Sequence, residues 1–93
     1  MEVVVIYEID KEEFNSDVNA GMKDKSYYKS WKYKEKSYKL PDNCFWKPDG
    51  TLAEGKQDMI DVVAQISRSK NTPVKLTKCL VLPSIQWEGI PTS

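Results

Sequence analysis

Two carboxylates lie close together near the beginning of the chain, at the end of its first apolar segment. Glu8 and Asp10 close a run of strand-forming residues, 3–9, in which valine and isoleucine dominate. Carboxylate oxygens are the ligands that hard cations such as Mg²⁺ prefer, so one interpretation of this pair is a magnesium site. The other interpretation is structural, because Asp10 and Glu13 form the pattern of a helix N-cap with its capping-box partner, leaving Glu8 at an exposed strand end.

A second group of residues with the chemistry of a binding site is the basic, aromatic segment 23–39. It contains seven lysines against two acids, a net charge of +5, with five aromatic residues between them. Such a mixture suits single-stranded nucleic acid, since cations contact phosphates and rings stack on bases. The residues predicted to contact nucleic acid are Lys29, Lys32, Lys34, Lys36, Tyr28, Trp31 and Tyr33. The alternative is a half-buried strand, whose period of two sends the rings to the core and the lysines to solvent.

The absence of histidine limits the enzymatic chemistry available to the chain. It removes Ser-His-Asp and Cys-His catalysis and the commonest general base at neutral pH. Cys44 and Cys79 are too few for a zinc site and form no C-x-x-C motif, so we interpret them as buried thiols. We therefore predict no cofactor, and we favour a protein that is not an enzyme.

The length and composition are those of one small globular domain. With 93 residues, 40% of them hydrophobic, the chain buries only roughly 60–65% of its unfolded surface, and such domains often gain from a partner subunit. No apolar run approaches the roughly 20 residues that span a bilayer. No signal peptide is recognised either, so we expect a cytoplasmic protein without membrane contact.

The hydrophobic pattern predicts four strands and two helices as the scaffold for these residues. The expected order is a strand at 3–9, a helix at about 11–24, a hairpin between 27 and 47, a helix from Thr51 to about Ser69 and a last strand ending at Pro83. Thr51 with Glu54 marks the start of the second helix, and Asn71 marks its end. The turn of the hairpin stays open, because residues 34–36 and residues 41–43 both fit a turn.

This order favours an α+β fold of the ferredoxin-like βαββαβ type, in which two helices cover one face of a four-stranded antiparallel sheet. Residues 1–83 form the domain, and the apolar tail 84–93 is expected to pack on it or on a partner subunit. The second face of the sheet is also apolar, with Val4 and Ile6 in the first strand and residues 79–82 in the last. An apolar face requires a cover, and the candidates are the tail 84–93 and a second subunit. Of these we favour a homodimer joined through sheet faces or edges.

Several of these motifs together resemble a known group of proteins. The V-V-V-I-Y-E-I-D strand, a W-x-Y hairpin at 31–33, the D-G-T-x-x-E start of helix two at 49–54 and a late Trp are similar to the small SinR-like proteins of bacteria and phages. That resemblance implies a ferredoxin-like fold. The first strand, 3–10, also resembles that of the CRISPR Cas2 and VapD ribonuclease families, but it carries Glu8 where Cas2 has Asp, and helix one lacks arginine.

Three hypotheses for the function follow from the sequence. The first is a small binding or regulatory module that uses the basic aromatic hairpin and the apolar sheet face on nucleic acid or protein. The second, implied by the resemblance to Cas2 and VapD, is a metal-dependent nuclease with Glu8 and Asp10 at its site. The third is a phage or mobile-element protein that inhibits a host protein by contact alone.

Overall fold

The computed structural model describes residues 1–84, 88 and 89, which form an α+β domain. The elements in chain order are β1 (Val3–Ile9), a 3-10 helix (Glu12–Phe14), α1 (Asn15–Asp24), β2 (Ser30–Tyr33), β3 (Lys36–Lys39), β4 (Cys44–Lys47), α2 (Leu52–Ser69) and β5 (Leu76–Pro83). No helix in this part of the chain is long and apolar enough to cross a membrane. The expectation that the tail 84–93 packs on the domain lies almost wholly outside the described residues.

β1 is the central strand of a three-stranded antiparallel sheet with the order β4-β1-β5. Val3, Val5, Tyr7 and Ile9 point to the inner face of this sheet and are at most 4% exposed. Buried side chains of the two helices form a cluster with Val5, Tyr7 and Ile9: Val18, Met22, Met59, Val62, Val63 and Ile66. Burial of each large aliphatic side chain contributes roughly 1.5–3 kcal/mol, so this cluster supplies the main stabilisation of the fold. The prediction of a central first strand is confirmed.

The predicted four-stranded ferredoxin-like sheet is wrong, because the segment expected to supply its fourth strand touches the sheet at one position only. Tyr28 and Trp46 exchange two backbone hydrogen bonds of 2.8 Å. Beyond this bridge the chain leaves the sheet, and β2 and β3 pair with each other as a separate antiparallel ribbon, residues 30–39. We call these residues the basic ribbon. A three-stranded sheet and a two-stranded ribbon thus take the place of the single sheet.

Two turns, rather than one, explain why the ribbon separates from the sheet. Lys34 and Glu35 have positive φ values of 47° and 68°, as in the type I′ turn that closes a two-residue hairpin. A second turn follows, in which the Cys44 N–H donates to Pro41 O at 3.1 Å and the chain returns to the sheet as β4. The ribbon pairs the backbone groups that face each other across β2 and β3, and water can satisfy the outward-facing groups, so the ribbon does not need the edge of the sheet.

α2 begins and ends where its cap signals predict. Thr51 Oγ1 accepts a hydrogen bond from the Glu54 N–H at 3.1 Å, and the helix begins at the next residue, Leu52. At the other end Asn71 has a φ of 49°, and the Thr72 N–H donates across it to Ser67 O at 3.1 Å, as in a Schellman motif. Local chemistry therefore determines both ends of this helix.

Two glycines let α2 approach its neighbours closely. A Cβ atom at Gly55 would lie 2.8 Å from Val81 Cγ1 in β5, and one at Gly21 would lie 2.8 Å from Val62 Cγ1 between the helices. These separations are shorter than van der Waals contact, so a larger residue at either position would push the layers apart. At these two positions the backbone of the helix itself, and not a side chain, contacts the neighbouring element.

The predicted capping of helix one by Asp10 is wrong. Asp10 pairs instead with Lys75: its N–H donates to Lys75 O at 3.0 Å, and its Oδ1 accepts from the Lys75 N–H at 2.8 Å. The chain then passes through the 3-10 helix before α1 begins at Asn15, later than the predicted start at residue 11. Asp10 thus holds the chain just before β5, at a separation in sequence that no local pattern can indicate.

Tyr7 makes the stability of the fold depend on pH in the alkaline range. Burial raises the pKa of Tyr7 to about 12, and the Tyr7 hydroxyl donates to Asn15 Oδ1 at 2.9 Å. Because folding favours the neutral phenol, this contribution is complete below the unfolded-state pKa of about 10 and is lost as the pH rises from about 10 to about 12. We expect the free energy of unfolding to fall over this range by about 1.4 kcal/mol per pH unit from this residue.

Urea unfolding of the wild type and of Tyr7→Phe across the same pH range checks this expectation. Phenylalanine keeps the buried ring but has no group to ionise, so the variant should lose less stability than the wild type as the pH rises. If the ionisation of Tyr7 did not affect stability, the free energy of unfolding would fall equally with pH in the wild type and in Tyr7→Phe.

Candidate binding surface

The face of the sheet opposite the helices carries exposed apolar side chains. Val4 and Ile6 of β1 point to this outer face, and their directly paired neighbours in β5 are Leu82 and Leu80. Leu80 is 60% exposed and Leu82 is 47% exposed. We call these four residues the leucine patch. The prediction of an apolar second face is confirmed.

An aromatic pair lies on the same outer face, on the β4 side of the sheet. Trp46 pairs with both Val4 and Tyr28, which places all three side chains on one face. The ring centroids of Tyr28 and Trp46 are 6.0 Å apart with an interplanar angle of 47°, and Tyr28 is 51% exposed. The Trp46 Nε1–H donates to Glu2 Oε1 at 3.2 Å, which orients the indole. We call Tyr28 and Trp46 the aromatic platform.

A groove of about 310 Å³ lies between the aromatic platform and the basic ribbon. Its lining residues are Tyr28, Ser30, Lys32, Trp46 and Pro48. Tyr28, Ser30 and Lys32 follow one another at every second position, the spacing that places strand residues on one face. Lys32 is exposed and is the charged member of this set. The groove therefore combines an ammonium group with two accessible aromatic rings.

Lys29, one of the predicted contacts, has a structural role. Its Nζ donates to the carbonyl oxygens of Pro41 at 3.4 Å, of Cys44 at 2.9 Å and of Asp42. The same ammonium lies 4.5 Å from the centroid of the Phe45 ring, and burial lowers the pKa of Lys29. Lys29 therefore ties the second turn to the base of the basic ribbon.

The other predicted contacts lie along the ribbon, away from the groove. Trp31 is half-buried and occupies the opposite face of β2 from the groove. Lys34 and Lys36 are exposed at the end of the ribbon. Tyr33 pairs with Lys36 through its backbone, and its side chain lies outside what the structure describes.

Sequence reasoning missed two residues of this surface, Trp46 and Lys39. Lys39 pairs directly with Ser30, so it shares the groove side of the ribbon with Lys32. Trp46 cannot be assigned to this surface from its local sequence, because its proximity to Tyr28 depends on a bridge that no local pattern indicates. The turn at 41–43 was the one available signal, since it returns the chain toward residue 28.

The two carboxylates of the nuclease hypothesis lie at the other end of β1. Glu8 Oε2 forms an ion pair with Lys78 Nζ at 3.5 Å across the β1–β5 pairing, and Asp10 is engaged with Lys75 as described above. Within residues 1–84, 88 and 89, no group of three His, Cys, Asp or Glu side chains is arranged to hold a metal ion. Both carboxylates therefore make contacts that stabilise the pairing of β1 with β5 and with the residue just before it.

The two cysteines lie on opposite faces of the sheet. Cys44 pairs with Ile6 on the outer face, whereas Cys79 pairs with Tyr7 on the inner face, and both thiols are half-buried. Burial raises the pKa of each thiol. The raised pKa values favour neutral thiols that fill space in the packing. Because the two side chains lie on opposite faces of the sheet, they cannot form a disulfide with each other.

Substitutions at Asp10 should change stability in a graded manner. Asp10→Ala removes the acceptor of the Lys75 N–H and should lower the free energy of unfolding by about 1 kcal/mol, whereas Asp10→Asn keeps an acceptor oxygen and should cost less. Glu12→Ala, at an exposed acid nearby, serves as the control in urea unfolding. Equal losses in Asp10→Ala and Asp10→Asn would show that the hydrogen bond to Lys75 is not what Asp10 contributes.

No family model, curated protein or solved structure matches this chain. The resemblances to SinR-like proteins, Cas2 and VapD stay predictions, as do the nuclease and host-inhibitor hypotheses that accompany them. The features of the surface that bear on function are the exposed Tyr28 ring beside the half-buried Trp46, the ammonium of Lys32 in the same groove and the leucine patch on the same face of the sheet.

Proposed function

We propose that this protein is a small binding module, rather than an enzyme, and that it binds single-stranded nucleic acid between the aromatic platform and the basic ribbon. The observation that supports this most directly is the exposed ring of Tyr28, beside Trp46 and in the same groove as Lys32. Stacking of a base on an aromatic side chain is worth about 1–3 kcal/mol, and a neighbouring ammonium attracts the adjoining phosphate.

The distribution of charge supports a polyanionic ligand. The net charge of the whole chain is zero, yet residues 23–39 carry +5, and the segment 1–22 carries −5. Attraction for phosphate is therefore concentrated on the part of the molecule that holds the ribbon and Tyr28. Binding that neutralises phosphates with lysine releases counterions, so its affinity falls as salt is added.

A single strand suits this surface better than a duplex. In a duplex the faces of the bases are covered by their neighbours, whereas a single strand can turn a base toward an exposed ring. The platform offers ring faces, and every base has a face to stack, so this contact tolerates many sequences. The groove thus accounts for binding without strong sequence selectivity.

Fluorescence anisotropy with labelled single-stranded DNA and RNA over a salt series tests the proposal. We expect an affinity that falls steeply with salt. Tyr28→Ala should weaken binding by roughly 5- to 150-fold, the equivalent of losing one stacked base. Lys32→Glu should lower both the affinity and the dependence on salt, because it removes a phosphate contact and adds repulsion.

Lys75→Glu provides a matched control for the change of charge. Lys75 is exposed and lies near Asp10, at the opposite end of β1 from the aromatic platform. This variant should bind nearly as well as the wild type. The proposal fails if the wild type does not bind at low salt, or if Lys75→Glu weakens binding as much as Lys32→Glu does.

The leucine patch favours a second binding function, the association of two copies of the chain. Leu80 and Leu82 are exposed beside Val4 and Ile6, and the charges at the end of the patch, Glu8 and Lys78, pair with each other. An apolar patch whose neighbouring charges are already paired offers little to a charged partner and fits another apolar patch. We infer that this half of the outer face joins a symmetric homodimer.

Sedimentation equilibrium over a range of protein concentrations checks the dimer. The wild type should associate as its concentration rises, and Leu80→Ser combined with Leu82→Ser should remain a monomer. Leu52→Ser, at an exposed leucine of α2, is the control and should associate like the wild type. A wild type that stays monomeric at every concentration would disprove this association.

A further inference from the structure

A second groove adjoins the aromatic platform. It has a volume of about 320 Å³ and is lined by Asn19, Ala20, Lys23, Tyr27, Tyr28, Lys29 and Phe45. Tyr28 also lines the first groove, so the two grooves meet at this residue. The two grooves are therefore neighbours on the surface.

The walls of the second groove are aromatic and held in place. The Tyr27 hydroxyl donates to Asp58 Oδ2 at 2.8 Å, and Phe45 stacks on Tyr7 with centroids 5.6 Å apart and an interplanar angle of 24°. Both rings are at most 1% exposed. These two rings therefore form a fixed apolar base beneath the groove, and Tyr28 is the lining ring that is exposed for stacking. The groove volume is close to the lower limit of about 300 Å³ for small-ligand pockets.

The charges around this groove fit a phosphate-bearing ligand. Among the residues that the structure describes, Lys23 and Lys29 line it and no carboxylate does. The Lys29 ammonium is held by carbonyl oxygens, so the exposed Lys23 is the cation available to a phosphate. The groove between α1 and α2 makes a useful contrast, because two carboxylates, Asp17 and Asp24, line that one. Complementarity to a polyanion is thus a property of the two grooves that share Tyr28.

Asn19 supplies the group that distinguishes this groove from a simple stacking surface. It is exposed on α1 at the rim of the groove, and its amide carries both a hydrogen-bond donor and an acceptor. A side-chain amide can bind two adjacent groups on the edge of one base, and such a bidentate contact discriminates among bases. The exposed Tyr28 ring and the Asn19 amide, which line the same groove, match the flat face and the polar edge of a nucleobase.

We propose that the second groove takes one nucleobase of the bound strand and that Asn19 reads its hydrogen-bonding edge, with Lys23 at the adjoining phosphate. This assignment rests on the proposed function. It adds a preference for one base at a single position, next to a platform that stacks any base.

Binding of single-stranded oligonucleotides that differ at one position at a time tests the assignment. The wild type should prefer one base at one position by roughly 5- to 150-fold, the range that one good bidentate contact gives. Asn19→Ala should remove this preference and leave the dependence on salt unchanged. Lys23→Gln should keep the preference and reduce the slope of affinity against salt by about one phosphate contact.

Ser16→Ala is the matched control, since Ser16 is exposed on the same helix outside the groove. This variant should retain both the preference and the affinity of the wild type. A wild type that binds every base equally, or an Asn19→Ala variant that keeps the preference, overturns the base-reading role and leaves the proposed function intact. A wild type that binds no single strand overturns both.

Discussion

Burial of the inner face of β1 is the interaction on which the rest of the molecule depends. Val3 and Val5 have no exposed surface, and both helices pack on the face of β1 to which these side chains point. Gly55 brings α2 close enough to do so. With both helices on the inner side, neither covers the outer face. β1 is apolar on both faces, but the two helices described cover only its inner face, so the leucine patch and the aromatic platform remain on the outer face.

The point at which the chain leaves the sheet determines which lysine side chains are accessible to a ligand. Lys29 and Lys32 belong to the same basic segment, and sequence alone treats them as equivalent. An odd separation in a strand places side chains on opposite faces, so Lys29 turns inward beneath Phe45 while Lys32 lines the outer groove. The carbonyl oxygens that hold Lys29 also secure the second turn, so its charge serves to position the accessible charges near it.

The sequence predicts the parts of the fold that local chemistry determines. β1 follows from its apolar run, and both ends of α2 follow from Thr51 and Asn71, whose hydrogen bonds join residues close in sequence. The predictions that were wrong, the capping role of Asp10 and the fourth strand of the sheet, share one cause. Asp10 bonds to Lys75, and Tyr28 bonds to Trp46, so in each case the partner is chosen by the tertiary fold. The candidate site was therefore predicted in composition, but its geometry was not.

The position of β1 also has a consequence for how the chain folds during synthesis. β1 is made before all the other strands, yet its two neighbours in the sheet are β4 and β5, and Val3 pairs with Pro83 at the far end of the domain. Closing contacts over such long separations is slow, because loop entropy must be lost before the pairing can compensate for it. The basic ribbon and α2 rely on local contacts and can form earlier. Until β5 leaves the ribosome, β1 lacks one of its two neighbours in the sheet, so the nascent chain is prone to aggregation through β1.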